Sequence, residues 1–500
     1  MATIAVRDLS FCHEGTVEPL FSHINLTLDT DWKLGFIGRN GRGKTTFLKL
    51  LLGQYEYSGK VSANVYFEYF PFVVPDPTQT TLDILKTIAP SVLLWQVQKE
   101  VAKLAVMEEA LYRPFETLSN GEQTKALLAG LFLRENGFLL IDEPTNHLDI
   151  NARETVARYL HDKSGFILVS HDRGFLDACI DHVLSINKTN IEIQSGNFSS
   201  WWHNKQLQDA HEIAENQKLK KEIKRLESAA RQSSQWANKV ESAKMGKGAA
   251  ALRKSGHAGM DTMAYYGEKS KRMQQRRKNL ERRQRSAIEE KSGLLRDIET
   301  AEPVKLVPLS YYKERLLEVR ELSVCYGEKT VFCDLTFELQ RGDRVAVSGP
   351  NGCGKSSLLK LLIGEPVPYT GEVRVGSGLI VSYVSQSTNH LAGPLDDYLT
   401  GQGLDITLVK ARLRKLDFAR AQFEQPLERY REGQKKKLLL AASLSRQAHV
   451  YLWDEPLNYI DVLSRMQIEA LLLEFEPTLL FVEHDGMFCE RVATRVITLW

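Results

Sequence analysis

Five hundred residues exceed one ordinary domain, and at roughly 100–200 residues per domain two to four folding units fit. With 43% hydrophobic and 26% charged residues the chain can build cores, which excludes wholesale disorder, and it contains no run of roughly 18 uncharged apolar residues for a membrane span. The net charge of +2 hides an asymmetry: residues 216–285 hold 20 Lys and Arg against 6 Asp and Glu, a net of +14, and the remainder carries a net of −12.

The opening, MATIAVRDLSF, lacks the basic-then-apolar layout of a secretory leader. Six cysteines, at 12, 179, 325, 333, 353 and 489, form no CxxC pair, so a reduced, cytoplasmic chain without structural zinc is expected. Alternation in TIAVRDLSF predicts a half-buried strand, WKLGFIG a buried one, and TTFLKLLLG a helix. Between the last two lies GRNGRGKTT at 38–46. Further on, FLLIDEP and FILVSHD are short apolar runs that end in charge, the form of central parallel strands delivering a functional residue at their carboxyl ends.

The same order then recurs. GRNGRGKTT is answered by GPNGCGKSS at 349–357, IDEPTNHLDI at 141–150 by WDEPLNYIDV at 453–462, and VSHDRGF at 169–175 by VEHDGMF at 482–488. The offsets run 311, 312 and 313, so the chain is a tandem duplication. The expected fold class is α/β, twice, with domains at 1–202 and 312–500 and a helical-hairpin linker at 203–311. In that linker Leu219, Ile223, Leu226 and Ala230 step by four, three and four, and Met273, Leu280, Ala287 and Leu294 step by sevens, which is coiled-coil spacing. MGKGAAALRKSGHAGM at 245–260 is the expected turn, and each arm is expected to project on the order of 50 Å. Lys244, Lys247, Arg253 and Lys254, in and beside that turn, are candidates to meet a polyanion, which the resemblance given below makes RNA, while Trp236, Tyr265 and Tyr266 are candidates for stacking or for hairpin packing.

The GxxxxGK[ST] pattern occurs twice, and each loop is expected to cradle a polyphosphate with its backbone amides. The first comprises Gly38, Arg39, Asn40, Gly41, Arg42, Gly43, Lys44, Thr45 and Thr46. The second comprises Gly349, Pro350, Asn351, Gly352, Cys353, Gly354, Lys355, Ser356 and Ser357. Lys44 and Lys355 reach phosphate oxygens, and Thr45 and Ser356 ligate Mg²⁺ together with the strand-end carboxylates Asp142 and Asp454. Glu143 and Glu455, one residue further, are placed to orient or deprotonate the attacking water, and His171 and His484 to contact the γ-phosphate. ATP and Mg²⁺ are the expected cofactors.

LSNGEQTK at 118–125 resembles the LSGGQ signature of ATP-binding-cassette proteins, and two cassettes flanking a basic helical hairpin resemble the ABC-F family over nearly the whole chain. The stretches DWKLGFIGRNGRGKTT, GFILVSHDRGF, EGQKKKLLLAASL and YLWDEPLNYIDVLSRMQIEA are similar to its antibiotic-resistance members. The resemblance implies that the signature of one cassette (Ser119, Asn120, Gly121 and Glu122, or Arg431, Glu432, Gly433 and Gln434) covers the ATP held by the other. It also implies a monomer whose cassettes dimerise internally and which needs no membrane partner. The implied partners are the 70S ribosome, its 23S rRNA and the P-site tRNA, with binding at the tRNA exit site. The implied role is protection against lincosamide, streptogramin A and pleuromutilin drugs. A housekeeping ABC-F translation factor is the alternative.

By the same resemblance the two ATP sites differ. A glutamine that touches Mg²⁺ is present as Gln386 in the second cassette, where the first has Phe72. Arg431 stands where the signature has serine and Glu432 where it has glycine, and the adenine-stacking position holds Tyr326 in one cassette and His13 in the other. The site built on Lys44 is therefore expected to turn over more slowly than the site built on Lys355.

Overall fold

The computed structural model describes residues 2–13, 19–146, 148–187, 190–252, 282, 306–327, 329–350 and 352–500, with backbone alone for 226, 227, 229–252 and 329. The chain divides into two compact units, one formed by Met1–Trp201 with Ala301–Trp500 and the other by Trp202–Thr300.

In the first unit the sequence repeat becomes a structural one. The first cassette carries a six-stranded sheet in the order Tyr66–Phe70, Gly137–Asp142, Phe166–Val169, Lys33–Ile37, His182–Ile186, Ile191–Ser195. All neighbours are parallel except the last pair. The second carries five parallel strands in the order Val381–Val384, Val450–Asp454, Leu479–Val482, Arg344–Ser348, Arg495–Thr498. Each sheet is joined by a three-stranded antiparallel sheet, centred on Thr3–Phe11 in one cassette and Arg315–Tyr326 in the other.

The apolar runs are strands because both faces are covered. Phe138, Leu139, Leu140 and Ile141, like Phe166, Ile167 and Leu168, are at most 1% exposed, as in a parallel sheet with layers on both sides. Each such side chain contributes about 1.5–3 kcal/mol of burial. This burial fixes the strand ends where Asp142 and Asp454 stop pairing. The strand leading into each phosphate loop is one strand removed from the strand bearing the carboxylate, separated by the strand that leads to the histidine, so all three functional segments leave the sheet at one edge.

Of the second unit, the described part is Arg282 and the helix Phe198–Leu252 from Trp202 onward; the helix is 55 residues long and continues through MGKGAAAL into the stretch expected to turn. At 1.5 Å per residue it is about 80 Å long. The side chains of Trp236, Lys244 and Lys247 lie outside the described residues, as do Arg253, Lys254, Tyr265, Tyr266 and the return arm apart from helical Arg282.

Candidate active site

The two phosphate loops adopt one conformation. Gly41 and Gly43 have φ of 86° and 93°, and Gly352 and Gly354 have 84° and 90°, a left-handed backbone that glycine adopts without a Cβ penalty. At Gly43 a Cβ would come within 2.8 Å of Leu20 and Phe21, so space and conformation both require glycine there. Each loop opens directly into a helix, Lys44–Leu51 or Lys355–Leu362, whose first-turn amides face the loop. Lys44 Nζ donates to Gly38 O at 2.7 Å and Arg39 O at 3.3 Å, and Lys355 Nζ to Gly349 O at 2.7 Å and Pro350 O at 2.9 Å. Asn351 lies outside the described residues.

The acidic pairs sit at the adjoining strand ends. Thr45 Oγ1 donates to Asp142 Oδ2 at 2.7 Å, and the Tyr69 hydroxyl donates to the same oxygen at 3.0 Å. Asp454 is 1% exposed, and both its carboxylate oxygens are buried without a hydrogen bond. Burial pushes its carboxyl up to about 6. A buried carboxylate beside a threonine or serine hydroxyl is the oxygen-donor set a Mg²⁺ ion takes, and the unsatisfied Asp454 oxygens fit it.

Glu143 and Glu455 share a left-handed backbone, φ 54° and 47°, held by Glu143 N donating to Val169 O and Glu455 N to Val482 O. The turn aims each side chain at the histidine of the next strand. His171 Nε2 is 3.1 Å from Glu143 Oε1 and His484 Nε2 is 3.4 Å from Glu455 Oε1. Their electrostatics differ. Burial, reinforced by Asp142, pushes Glu143 up to about 8, and burial holds His171 well below its ordinary value. Burial pulls Glu455 the same way, but hydrogen bonds from His484 and Gln386 and the His484 charge reverse it to about 2.

The cassettes face each other head to tail within this unit. A cavity of about 1060 Å³ is lined on one side by Tyr326, Lys355, Ser356, Ser357, Gln386, Glu455 and His484. Ser119, Asn120, Gly121, Glu122 and Lys125 line its other side. The Tyr326 hydroxyl is 3.1 Å from Ser357 Oγ. Ser119 caps the helix Asn120–Phe132, accepting from Glu122 N at 3.3 Å and donating to Glu122 Oε2 at 2.8 Å.

Around the first phosphate loop the facing signature is in direct contact. Asn40 Nδ2 donates to Tyr459 O at 2.8 Å. Gly433 lies against both: a Cβ there would fall 2.5 Å from Tyr459 O and 3.3 Å from Asn40 Nδ2. Arg42 approaches Asp417 at 3.8 Å. Arg431 occupies the N-cap of the helix Glu432–Ser445 without a side-chain capping bond, where Ser119 provides one in the other cassette. His13 packs edge-on to Phe11 at 4.9 Å between ring centres. Strand register places Phe72 opposite the role of Gln386: Phe70 pairs with Ile141 and Val384 with Trp453, each one residue before the aspartate, so the residues two further on correspond.

Several residues at the site were not singled out from the sequence. Asp149 and Asp461 cap the helices Ile150–His161 and Val462–Phe475. Arg153 NH1 donates to Asp172 Oδ2 at 2.9 Å and, across the cassettes, to His484 O at 3.0 Å. Its counterpart Arg465 reaches Asp485 Oδ2 at 3.2 Å. Extending the aligned repeat from NHLDINAR to NYIDVLSR would have exposed both pairs. Tyr69 carried no signal beyond lying in a strand.

A sequence profile of the family described as ABC transporter matches residues 21–146 and 332–458. The ribosome protection protein VmlR of Bacillus subtilis is 29% identical over 96% of this chain and 84% of its own length. The energy-dependent translational throttle protein EttA of Haemophilus influenzae is 26% identical over 96% and 88%. Among solved structures, the archaeal ribosome recycling factor aABCE1, in its complex with the ribosomal stalk protein aP1, superimposes with a TM-score of 0.62 at 19% identity, covering 98% of this chain and 87% of that one. That likeness is one of fold.

Proposed function

We propose that this chain, which belongs to the ABC transporter family and carries the family's domain twice, is an ABC-F ATPase that acts on the ribosome and protects translation from drugs of the peptidyl-transferase centre. The observation that carries this reading is the head-to-tail pair of nucleotide sites in a chain whose 55-residue helix runs from the first cassette into a segment of net charge +14. Such a charge suits RNA phosphates. Among the described residues no helix is long and apolar enough to cross a membrane. A cytoplasmic location follows from the ribosome as partner.

ATP is bound by the phosphate loop of one cassette and the signature of the other. Thr45 and Asp142, or Ser356, Asp454 and Gln386, would hold Mg²⁺, which neutralises phosphate charge when bound. Glu455 and Glu143 orient a water for attack on the γ-phosphorus, and His484 and His171 hold the phosphate oxygens and the glutamates in register. The β–γ bridge oxygen leaves with ADP. Two ATPs favour the closed pair, and loss of the γ-phosphate contacts releases it. Moving the closed form from 1% to 99% requires about 5.5 kcal/mol of differential binding from the two together.

The resistance role is supported by the similarity to VmlR, whose name states ribosome protection. The similarity to EttA, a translational throttle, favours the housekeeping reading instead. The two are separated by expressing the chain in a susceptible bacterium. Raised tolerance to lincosamide, streptogramin A or pleuromutilin drugs, lost in the double variant Glu143→Gln/Glu455→Gln, supports protection. Unchanged tolerance to all three classes removes it.

A further inference from the structure

The loop that carries Gln386 is gripped at both ends by one helix. On its near side Lys436 Nζ donates to Ser385 O at 3.0 Å and also to Glu455 O at 3.1 Å. On its far side Thr388 Oγ1 donates to Glu432 Oε2 at 2.6 Å. Lys436 is 1% exposed and Thr388 2%, whereas Glu432 stands toward solvent and also pairs with Lys435 at 3.1 Å, so the Lys436 contacts are the ones shielded from bulk water. Glu432 and Lys436 are one turn apart on the helix Glu432–Ser445, so a single rigid element sets the positions of the glutamine loop and the catalytic glutamate.

The same helix begins at the other site. Its first turn holds Gly433, which lies against Asn40 of the first phosphate loop. One end of the helix therefore meets the site built on Lys44, and its next turn grips the machinery of the site built on Lys355. In the first cassette Asn120 and Thr124 occupy the matching positions, Phe72 replaces the glutamine, and a threonine side chain is too short to bridge two backbone carbonyls as lysine does. The grip and the glutamine occur together, in one cassette.

We propose that Glu432 and Lys436 are positioning residues for Gln386 and Glu455, and that through them closure over the Lys44 site sets the rate of hydrolysis at the Lys355 site. Glu432, a departure from the glycine of the signature, then serves the site on its own cassette. This rests on the reading of the chain as an ATPase. Movement of the helix when its N-terminal turn engages nucleotide is passed through Lys436 Nζ to the carbonyls of Ser385 and Glu455, which shifts the water-orienting groups without touching the bound phosphates.

The test uses the full chain carrying Glu143→Gln, which leaves hydrolysis to the Lys355 site. Lys436→Met is expected to lower kcat about tenfold or more with the KM for ATP within about twofold, and Lys436→Arg to recover most of the loss. Glu432→Ala removes a side chain on the solvent side, folds independently of the Lys436 result, and is expected to lower kcat about threefold. Folded Lys436→Met and Glu432→Ala proteins with the kcat of the Glu143→Gln parent overturn the proposal and leave the ATPase reading standing. A rise in KM with unchanged kcat, or loss that Lys436→Arg does not restore, also overturns it. If the parent and the unsubstituted chain both fail to hydrolyse ATP, the ATPase reading falls and this proposal with it.

Discussion

Glu100 shows how one residue can decide local stability. Burial alone would raise its pKa, but hydrogen bonds from Lys103 at 2.6 Å, Lys163 at 2.7 Å and the Tyr159 hydroxyl at 2.9 Å hold it at about 2. A carboxyl depressed in the folded state stabilises the fold fully above its unfolded pKa, and that contribution disappears as pH falls through the folded value. Glu100→Gln is therefore expected to cost about 1–3 kcal/mol at neutral pH. The difference from the parent should shrink between about pH 4.5 and 2, as urea titrations at several pH values would show. A constant difference across that window would remove the assignment. Only the Lys103 pairing, three residues along the same helix, was open to spacing; Tyr159 and Lys163 lie 59 and 63 residues away along the chain.

At the scale of elements, the sequence was most informative where chemistry constrains backbone. The loops ending in Lys44 and Lys355 and the strands ending in Asp142 and Asp454 stand where spacing placed them, because glycine at positive φ and doubly buried apolar strands leave few alternatives. The equivalence of Phe72 and Gln386 was also readable, and strand register agrees with it. What escaped was contact between elements: the Lys436 bridge, Tyr69 on Asp142, and Arg153 reaching across to His484 depend on how helices seat on sheets, which periodicity does not encode. The helix that enters the expected linker begins at Phe198, and the second compact unit begins at Trp202.

Packing under the second carboxylate gives a prediction at this scale. Trp453 precedes Asp454, is fully buried, and donates from Nε1 to Ser443 Oγ at 3.0 Å, tying the strand to the signature helix. Trp453→Ala is expected to destabilise by about 3–5 kcal/mol, measured as a shift of the denaturation midpoint. A loss below about 1 kcal/mol would mean the strand end is not held by this contact.

For the whole molecule the two ATP sites are built from the same parts and are not equal. The Lys355 site has Gln386, Tyr326 and a capped signature at Ser119, and the Lys44 site has Phe72, His13 and Arg431. Single-turnover hydrolysis by the Glu455→Gln chain, which relies on the Lys44 site, is therefore expected to be slower than by the Glu143→Gln chain. Equal rates would remove the expected difference between the two sites. Under the proposed function, such an asymmetry would give the clamp an order of events, with one site holding while the other turns over.

Whether ATP-driven closure governs ribosome binding, as proposed, is tested by sedimenting the Glu143→Gln/Glu455→Gln protein with 70S ribosomes, with and without ATP, over a range of salt. Co-sedimentation that requires ATP and weakens steeply as salt rises is expected, because a segment of net charge +14 would exchange counterions with RNA phosphates. Protein that stays in the supernatant at every nucleotide and salt condition would contradict it.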